Sequence, residues 1–435
     1  MAHAISDRKT PVQLPATAGN AANTTRQRPT VLLHIGEPKT GTTFLQQVMW
    51  RNRDALAAQG VVLPGHHPQD HFRASQDLRG IQKLPSDPAG SWTGEWDILA
   101  SQATQAPRLA VISHELFAAA DAPEAEKAVR SLQPAEVHVV LTARDISSLL
   151  PAEWQETVKH RNARGWEDWL GDVIDRESTS PDRRQWWFWR VHDTLAILDI
   201  WSAHVPAERV HVITTGPREA GSGLLWQRFA ALLGVDPESV DLSRARANSS
   251  LGMPEIEFLR RLNEELPSEI PDWFYMWNVK EALAHQSLAA RPVTGRLVLP
   301  EDRGAWAKEH AETLIAGLRE SSYDIVGDLD ELLPRQSAEP GVGPADQPTE
   351  RVLDVAVQAA AALVLNQYRK AYPAVKPQTG LGGLGGLADR VESTVASSPR
   401  IKRAVRELSS RHSSVRRLRI LAWRVLERSR ARKNP

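Results

Sequence analysis

The chain of 435 residues contains no cysteine, and this absence excludes several kinds of chemistry. A chain without thiols has no disulfide scaffold, no cysteine-bound zinc or iron–sulfur cluster, and no thiol nucleophile. No run of about 18 apolar residues occurs, so we expect no helix that spans a membrane. The formal net charge is zero, from 53 basic and 53 acidic residues, and offers no overall attraction for nucleic acid.

The residues that are present are those of a globular protein, because 41% are hydrophobic and 24% are charged. Their charge is unevenly distributed. The segment from Arg400 to Pro435 has 13 Lys or Arg against 2 Glu, a net charge of +11, which leaves −11 for the other 399 residues. Apolar residues at helical spacing predict a basic amphipathic helix in this segment. It fits either peripheral contact with an anionic membrane or docking onto the protein itself.

Shifts in composition predict four segments. Residues 1–28 are polar and lack the apolar core of a secretory signal, so we expect a disordered arm. Residues 29–333 form the main domain, residues 334–350 a linker rich in Pro, Gly and Ser, and residues 351–435 a helical, basic C-terminal extension. The expected location is cytoplasmic, with the extension available for contact with the inner face of a membrane. The sequence leaves the oligomeric state open.

The main domain alternates apolar runs with patterns of helical spacing, which is typical of an α/β fold. We predict a P-loop-like central parallel sheet of about five strands flanked by helices, followed by mostly helical structure from residue 248 to 333. Right-handed crossovers place the carboxyl ends of parallel strands at one edge, where ligands of such sheets bind. The predicted strands are residues 31–35, 60–64, 109–113, 137–142 and 210–214.

The first predicted strand runs into Gly-Glu-Pro-Lys-Thr-Gly-Thr-Thr at residues 36–43, and a helical pattern follows. A loop that leads into a helix N-terminus binds anions, through free backbone N–H groups and the helix dipole. The two glycines have Walker A spacing, but Thr42 and Thr43 stand where that motif needs Lys and then Ser or Thr. Lys39 lies inside the loop instead, and Arg144 precedes Asp145 where an NTPase would hold Mg²⁺. The pattern predicts a ligand with two separate phosphate groups and no metal.

Pro-Lys-Thr-Gly-Thr-Thr-Phe-Leu at residues 38–45 resembles the 5′-phosphosulfate loop of sulfotransferases, typically Pro-Lys-(Ser/Thr)-Gly-Thr-Thr-(Trp/Phe)-Leu. The resemblance implies PAPS (3′-phosphoadenosine 5′-phosphosulfate) as co-substrate, with no metal required. It also implies that Lys39 neutralises the charge that develops on the bridging oxygen as the sulfuryl group leaves. The residues that it assigns to the 5′-phosphosulfate are Lys39, Thr40, Gly41, Thr42 and Thr43.

The strand that ends at Arg144 resembles the family's second motif, in which an Arg, and a Ser eight residues later, bind the 3′-phosphate. The guanidinium of Arg suits a phosphate because it can donate two parallel hydrogen bonds. Here the eighth residue is Ala152, which departs from the motif. Ser148 lies one helical turn earlier on the same face and is the candidate substitute, with Ser147 adjacent. Either serine could instead cap the following helix.

Sulfuryl transfer to an alcohol releases a proton, so a positioned base accelerates it by about 10²–10⁴-fold. Two pairs of residues in the sequence are candidates for this base. His114 and Glu115 follow the third strand, at a position that resembles that of the catalytic His in cytosolic sulfotransferases. Asp70 and His71 lie in a segment similar to the Glu-x-His-Phe-Phe segment of heparan-type sulfotransferases. The sequence does not choose between these pairs.

The sequence therefore predicts an enzyme, a PAPS-dependent sulfotransferase acting on a hydroxyl acceptor, with no nucleic-acid partner. A carbohydrate or glycolipid is the favoured acceptor, and a small molecule with a hydroxyl group is also compatible. The alternatives are a P-loop nucleotide kinase or NTPase, and a non-catalytic binding protein that retains the fold. Trp186, Trp187 and Trp189 fit a sugar-stacking cleft, but helix packing is the favoured interpretation. No metal site is predicted, because the loop histidines His66 and His67 lack a patterned acid cluster.

Overall fold

Six parallel strands form the central sheet, in the order β2-β3-β1-β4-β5-β6. The structure is a computed structural model and describes residues 28–81, 92–180, 182–243, 245, 250–335 and 343–371. It confirms the expected fold class, a parallel sheet flanked by helices. The strands are β1 (Thr30–Gly36), β2 (Val61–Val62), β3 (Leu109–Ser113), β4 (Glu136–Ala143), β5 (Val210–Thr214) and β6 (Asp324–Val326).

The first strand lies between β3 and β4, with Val31 opposite Ala110 on one side and opposite Val137 on the other. Alternate residues of β1 enter different cores, since Val31 packs into one apolar cluster and Leu32 into another. The sheet is therefore covered on both faces, as parallel sheets require, and β1, β4 and β5 are buried along almost their whole length for this reason. All six strands end at the same edge.

Fourteen α-helices and one π-helical segment, Met276–His285, occur among the described residues. The helices are α1 (Thr42–Arg51), α2 (Arg53–Ala58), α3 (Pro68–Leu78), α4 (Glu95–Ala103), α5 (Ala122–Ser131), α6 (Ile146–Lys159), α7 (Trp166–Thr179), α8 (Trp187–His192), α9 (Thr194–Ser202), α10 (Gly221–Leu233), α11 (Met253–Glu265), α12 (Asp272–Tyr275), α13 (Gly304–Glu320) and α14 (Thr349–Ala371).

A third apolar core lies between helices and contains no residue of the sheet. It includes residues from α6, α7, α8, α11 and the π-helical segment, and Val355 of α14 is buried in it. Trp154, Trp166 and Trp169 are buried there, which agrees with packing rather than with an open sugar cleft. Trp187, in contrast, is 44% exposed.

Three local features differ from the sequence-based expectation. The apolar residues of 44–58 have helical spacing throughout, but the helix breaks at Asn52, whose side-chain amide donates to the carbonyl of Val48 and ends α1. Residues 185–204 likewise have a helical pattern, but α8 and α9 are separated at Asp193, whose carboxylate accepts a hydrogen bond from Arg183. The sheet also has a sixth strand in a stretch expected to be helical. With three residues at the sheet edge, β6 is too short to show a strand pattern in sequence.

The chain divides into two compact units, Met1–Gln367 and Tyr368–Pro435. The expected N-terminal arm, apart from residue 28, and the basic segment from Arg400 to Pro435 lie outside the described residues, as does part of the expected linker. Those expectations stay predictions. Within the described ranges, no helix is both long enough and apolar enough to cross a membrane.

Candidate functional site

The loop that follows β1 lies at the carboxyl edge of the sheet and bends sharply at two glycines. Gly36 has a φ of 107°, and a Cβ there would lie 2.9 Å from the Cα of Glu115. Gly41 has a φ of 91°, and a Cβ there would lie 2.4 Å from Leu225. Both positions therefore need glycine. Lys39 also has a positive φ, 61°, which is uncommon for a residue with a side chain and is typical of functional loops.

The loop is anchored to the neighbouring strand β4. The amide of Glu37 donates to the carbonyl of Thr142, and the hydroxyl of Thr40 lies 2.5 Å from the hydroxyl of Thr142. The Thr40 hydroxyl also donates to the carbonyl of Glu37 at 2.6 Å. These contacts hold Thr40 in the interior, where it is 1% exposed. Gly41 caps α1 without a side-chain hydrogen bond, which leaves the first helical amides to other acceptors.

Arg144, directly after β4, contacts the same loop from the other side. Its guanidinium donates to the carbonyl of Lys39 at 3.2 Å. The cap of α6 is Asp145, which accepts from the amide of Ser148 at 2.8 Å and from the hydroxyl of Ser147 at 2.6 Å. Asp145 therefore has the capping role that the sequence allowed for the serines, and the Ser147 hydroxyl is already engaged.

The ammonium group of Lys39 points to α6 and pairs with Glu156 at 3.0 Å. Lys280 of the π-helical segment and Lys159 of α6 contact the same carboxylate at 2.8 and 3.6 Å. Although burial opposes ionisation, His160 and the three lysines lower the pKa of Glu156 far below its usual range. Glu156 is thus a fixed anion among three cations, which we call the lysine cluster: Lys39, Lys159, Lys280 and Glu156.

Beneath the loop lies a second charged group, formed by Glu37, His192 and Glu153. The Nδ1 of His192 is 3.5 Å from Glu37 and its Nε2 is 3.7 Å from Glu153, which are ion-pair distances longer than hydrogen bonds. Burial of the imidazole opposes protonation, but the two carboxylates outweigh it and raise the pKa of His192 to about 9. His192 is therefore an imidazolium at neutral pH and ties the loop to α6 and α8.

His114 and Glu115 lie at the end of β3, beside the start of the loop. The carboxylate of Glu115 accepts from the side-chain amide of Gln46 on α1 at 3.1 Å. Burial opposes ionisation here too, but His114 and the Gln46 hydrogen bond lower the pKa of Glu115. The Nδ1 of His114 accepts from the amide of Leu116, so a neutral His114 carries its hydrogen on Nε2. Of the two, Glu115 is the side chain held in an ionised form, as a carboxylate.

Asp70 and His71 have structural partners on every side. Asp70 accepts from the amides of His66 and His67 and completes a capping box at the start of α3. The Nδ1 of His71 accepts from the amide of Ser113, and its Nε2 lies 2.8 Å from the carbonyl of Pro64. Burial lowers the pKa of His71 to about 4. Both ring nitrogens are therefore engaged within the fold.

The edge of the sheet gathers Lys39, Arg144, His114 and Glu115 as the sequence predicted, while His192 and Lys280 were not anticipated. Their positions, more than 100 residues from the loop, carry no local sequence signal. A signal did exist on α6, where acids and a lysine recur every three residues at 153, 156 and 159. That spacing places them along one side of a helix.

The described residues contain no group of three or more His, Cys, Asp or Glu that could hold a metal ion. No protein-family profile and no curated protein sequence matches the chain. Among solved structures, a crystal structure of a sulfotransferase from Alicyclobacillus acidocaldarius is similar over 54% of this chain and 92% of that chain. The sequence identity is 14% and the TM-score is 0.29.

Replacing His192 with Gln removes the positive charge between two buried carboxylates. We expect the free energy of unfolding to fall by about 3 kcal/mol, because removing one partner leaves buried charge uncompensated. Denaturant unfolding followed by tryptophan fluorescence measures the change. The half-exposed His285 is the control, since its change to Gln should cost less than about 0.5 kcal/mol. Equal effects of the two substitutions would contradict the structural role of the ion pairs.

The contribution of His192 to the free energy of unfolding should fall as the pH rises. The pKa of His192 is about 9 in the folded chain and 6.5 without its partners. Its contribution is therefore fully present below pH 6.5 and is lost as the pH rises through 9. The difference in free energy of unfolding between the unchanged protein and His192→Gln should shrink over that range. A difference that stays constant would show that the imidazole is neutral.

Proposed function

We propose that the chain is a PAPS-dependent sulfotransferase that transfers a sulfuryl group to a hydroxyl acceptor. The observation that carries the proposal is the placement of two cationic side chains around one helix N-terminus. Lys39 lies inside the loop that leads into α1, and Arg144, directly after the neighbouring strand β4, contacts the backbone of that same residue. This arrangement suits a donor with a sulfated 5′-phosphate and a separate 3′-phosphate.

The donor's 5′-phosphosulfate is expected at the start of α1. The amides of Thr42 and Thr43 stand at the positive end of the helix dipole, where oxyanions are favoured. Because the Thr40 hydroxyl is occupied inside the fold, Thr40 and Gly41 contribute through backbone amides. When the donor binds, the ammonium group of Lys39 leaves its ion pair with Glu156 and contacts the donor. It then neutralises the charge on the oxygen that bridges sulfur and the 5′-phosphate. Arg144 takes the 3′-phosphate, with Ser148 as the hydroxyl on the adjacent helical turn.

The reaction is an in-line displacement at sulfur. The acceptor oxygen forms a new S–O bond while the bond from sulfur to the oxygen of the 5′-phosphate breaks. The products are a sulfate ester and adenosine 3′,5′-bisphosphate, and the acceptor's proton passes to a base. We assign that role to Glu115, because its carboxylate is ionised and held by Gln46, whereas Asp70 and His71 are engaged within the fold.

The acceptor class is inferred from exposed aromatic side chains on α12 and on the π-helical segment, which also carries Lys280. Trp277 is 67% exposed and precedes Lys280 by three residues on the π-helical segment, and Trp273 is 47% exposed. Exposed indole rings stack on the apolar faces of sugars. A carbohydrate or glycolipid hydroxyl therefore suits this surface, while the basic segment from Arg400 to Pro435 supplies the proposed contact with an anionic membrane.

Lys39→Ala and Arg144→Ala should have different effects. Transfer of labelled sulfate from PAPS into fractionated cell extract should fall by about 10²–10³-fold in Lys39→Ala, since a charge-stabilising group is lost. Binding of adenosine 3′,5′-bisphosphate should weaken by about 10–100-fold in Arg144→Ala, measured by calorimetry, because a charge-assisted hydrogen bond is lost.

Lys127→Ala and Arg130→Ala are the matched controls, because both residues are exposed on α5. They should behave like the unchanged protein. Calorimetry with ATP and Mg²⁺ tests the kinase or NTPase alternative. Tight binding of ATP–Mg²⁺, with none of the bisphosphate, would overturn the proposal. Bisphosphate binding without any transfer from PAPS would favour a non-catalytic protein that retains the fold.

The choice of Glu115 as base is tested by comparing Glu115→Gln with His114→Gln. We expect kcat to fall by about 10²–10⁴-fold in Glu115→Gln, with bisphosphate binding little changed, since the substitution removes only the proton acceptor. The fall of kcat in His114→Gln should be far smaller. A larger fall of kcat in His114→Gln than in Glu115→Gln would assign the base to His114. A fall of kcat in Asp70→Asn alone would instead assign the base to Asp70 on α3.

A further inference from the structure

The lysine cluster has more positive charge than its own residues neutralise. Lys39, Lys159 and Lys280 surround the single carboxylate of Glu156, which leaves a net charge of +2 when all four are ionised. These side chains are poorly hydrated, with exposed fractions of 17%, 7% and 14% for the lysines and 24% for Glu156. Excess charge of one sign at such a position is costly unless a counter-charge arrives.

The pKa of Lys159 reflects the excess positive charge of the lysine cluster. Burial lowers it to about 8, and the neighbouring charges of Lys39 and Lys280 act in the same direction, against the attraction of Glu156. His160 adds a further nitrogen 3.3 Å from the Glu156 carboxylate. An anionic ligand at this position would relieve the repulsion among the ammonium groups.

The three ammonium groups also converge in the way that an oxyanion requires. They come from three separate elements: the loop after β1, the last turn of α6, and the π-helical segment. Two contact one carboxylate oxygen of Glu156, at 3.0 and 3.6 Å, and the third contacts the other oxygen at 2.8 Å.

We infer that Lys39, Lys159 and Lys280 form a binding site for a tetrahedral oxyanion such as a sulfate group, and that Glu156 occupies this site when no ligand is bound. The ligand displaces the carboxylate from the ammonium groups, so Glu156 weakens binding and excludes weaker anions. The inference rests on the proposed function to the extent that Lys39 belongs to both sites. The oxyanion is either the donor's sulfuryl group or an anionic group of the acceptor.

Inorganic sulfate, titrated by calorimetry at constant ionic strength, tests the site without any nucleotide. Glu156→Gln should bind sulfate at least about tenfold more tightly than the unchanged protein, because the competing charge is gone. Lys280→Gln should bind it about tenfold more weakly. Glu312→Gln and Lys308→Gln are the controls, since these residues form an exposed ion pair on α13 and should leave sulfate binding unchanged.

Thermal unfolding provides a second readout in case Glu156→Gln is destabilised. Sulfate should raise the Tm of Glu156→Gln more than that of the unchanged protein, since binding to the folded state alone stabilises it. The inference is overturned if Glu156→Gln gains no sulfate affinity and no larger Tm shift, or if Lys280→Gln binds sulfate as the unchanged protein does.

Nucleotide binding by Lys280→Gln identifies the source of the oxyanion. Weaker binding of PAPS, with unchanged binding of adenosine 3′,5′-bisphosphate, would assign the site to the donor's sulfuryl group. Unchanged binding of both, with sulfate still bound by protein saturated with PAPS, would assign it to the acceptor. If neither nucleotide binds, the proposed function fails, whereas the sulfate results alone still decide the oxyanion site.

Discussion

The contacts between the loop after β1 and helix α6 determine the arrangement of the whole site. Two acids of α6, one turn apart, reach the loop by different routes: Glu153 through His192 to Glu37, and Glu156 directly to Lys39. Because buried charges without partners are costly, displacing the loop would also displace the helix. The position of Arg144, between the end of β4 and the start of α6, is fixed by the same contacts.

The two charged groups that contact the loop, Glu37–His192–Glu153 and the lysine cluster, differ in the sign of their net charge. The deeper group contains two carboxylates and one imidazolium, which gives it a net charge of −1. The lysine cluster has a net charge of +2 when all four groups are ionised. The deeper group holds the loop from beneath through His192 and Glu37, while the lysine cluster holds it from α6 through Lys39. Both groups occur in a chain whose formal net charge is zero, because a sum of charges says nothing about their distribution.

The edge of the sheet could be located from sequence, but the state of its titratable groups could not. Two pairs of acid and histidine looked equivalent as bases. The structure distinguishes them by their partners. Asp70 belongs to the capping box of α3 and His71 bonds to the backbone through both ring nitrogens, whereas the Glu115 carboxylate accepts a hydrogen bond from the Gln46 side chain of α1. A capping bond depends on local spacing, but the contact of His71 with Ser113 depends on how β3 and α3 pack.

The sequence by itself determined the α/β class, five of the six strands and the glycine-containing loop after β1, because these follow from local apolar patterns and from turns that need glycine. It also placed Lys39 and Arg144 at strand ends, where parallel topology brings them together. Only the tertiary structure decided the partners of those charges. His192, Glu153, Glu156 and Lys280 are distant along the chain, and their pairing depends on the packing of helices over the sheet edge.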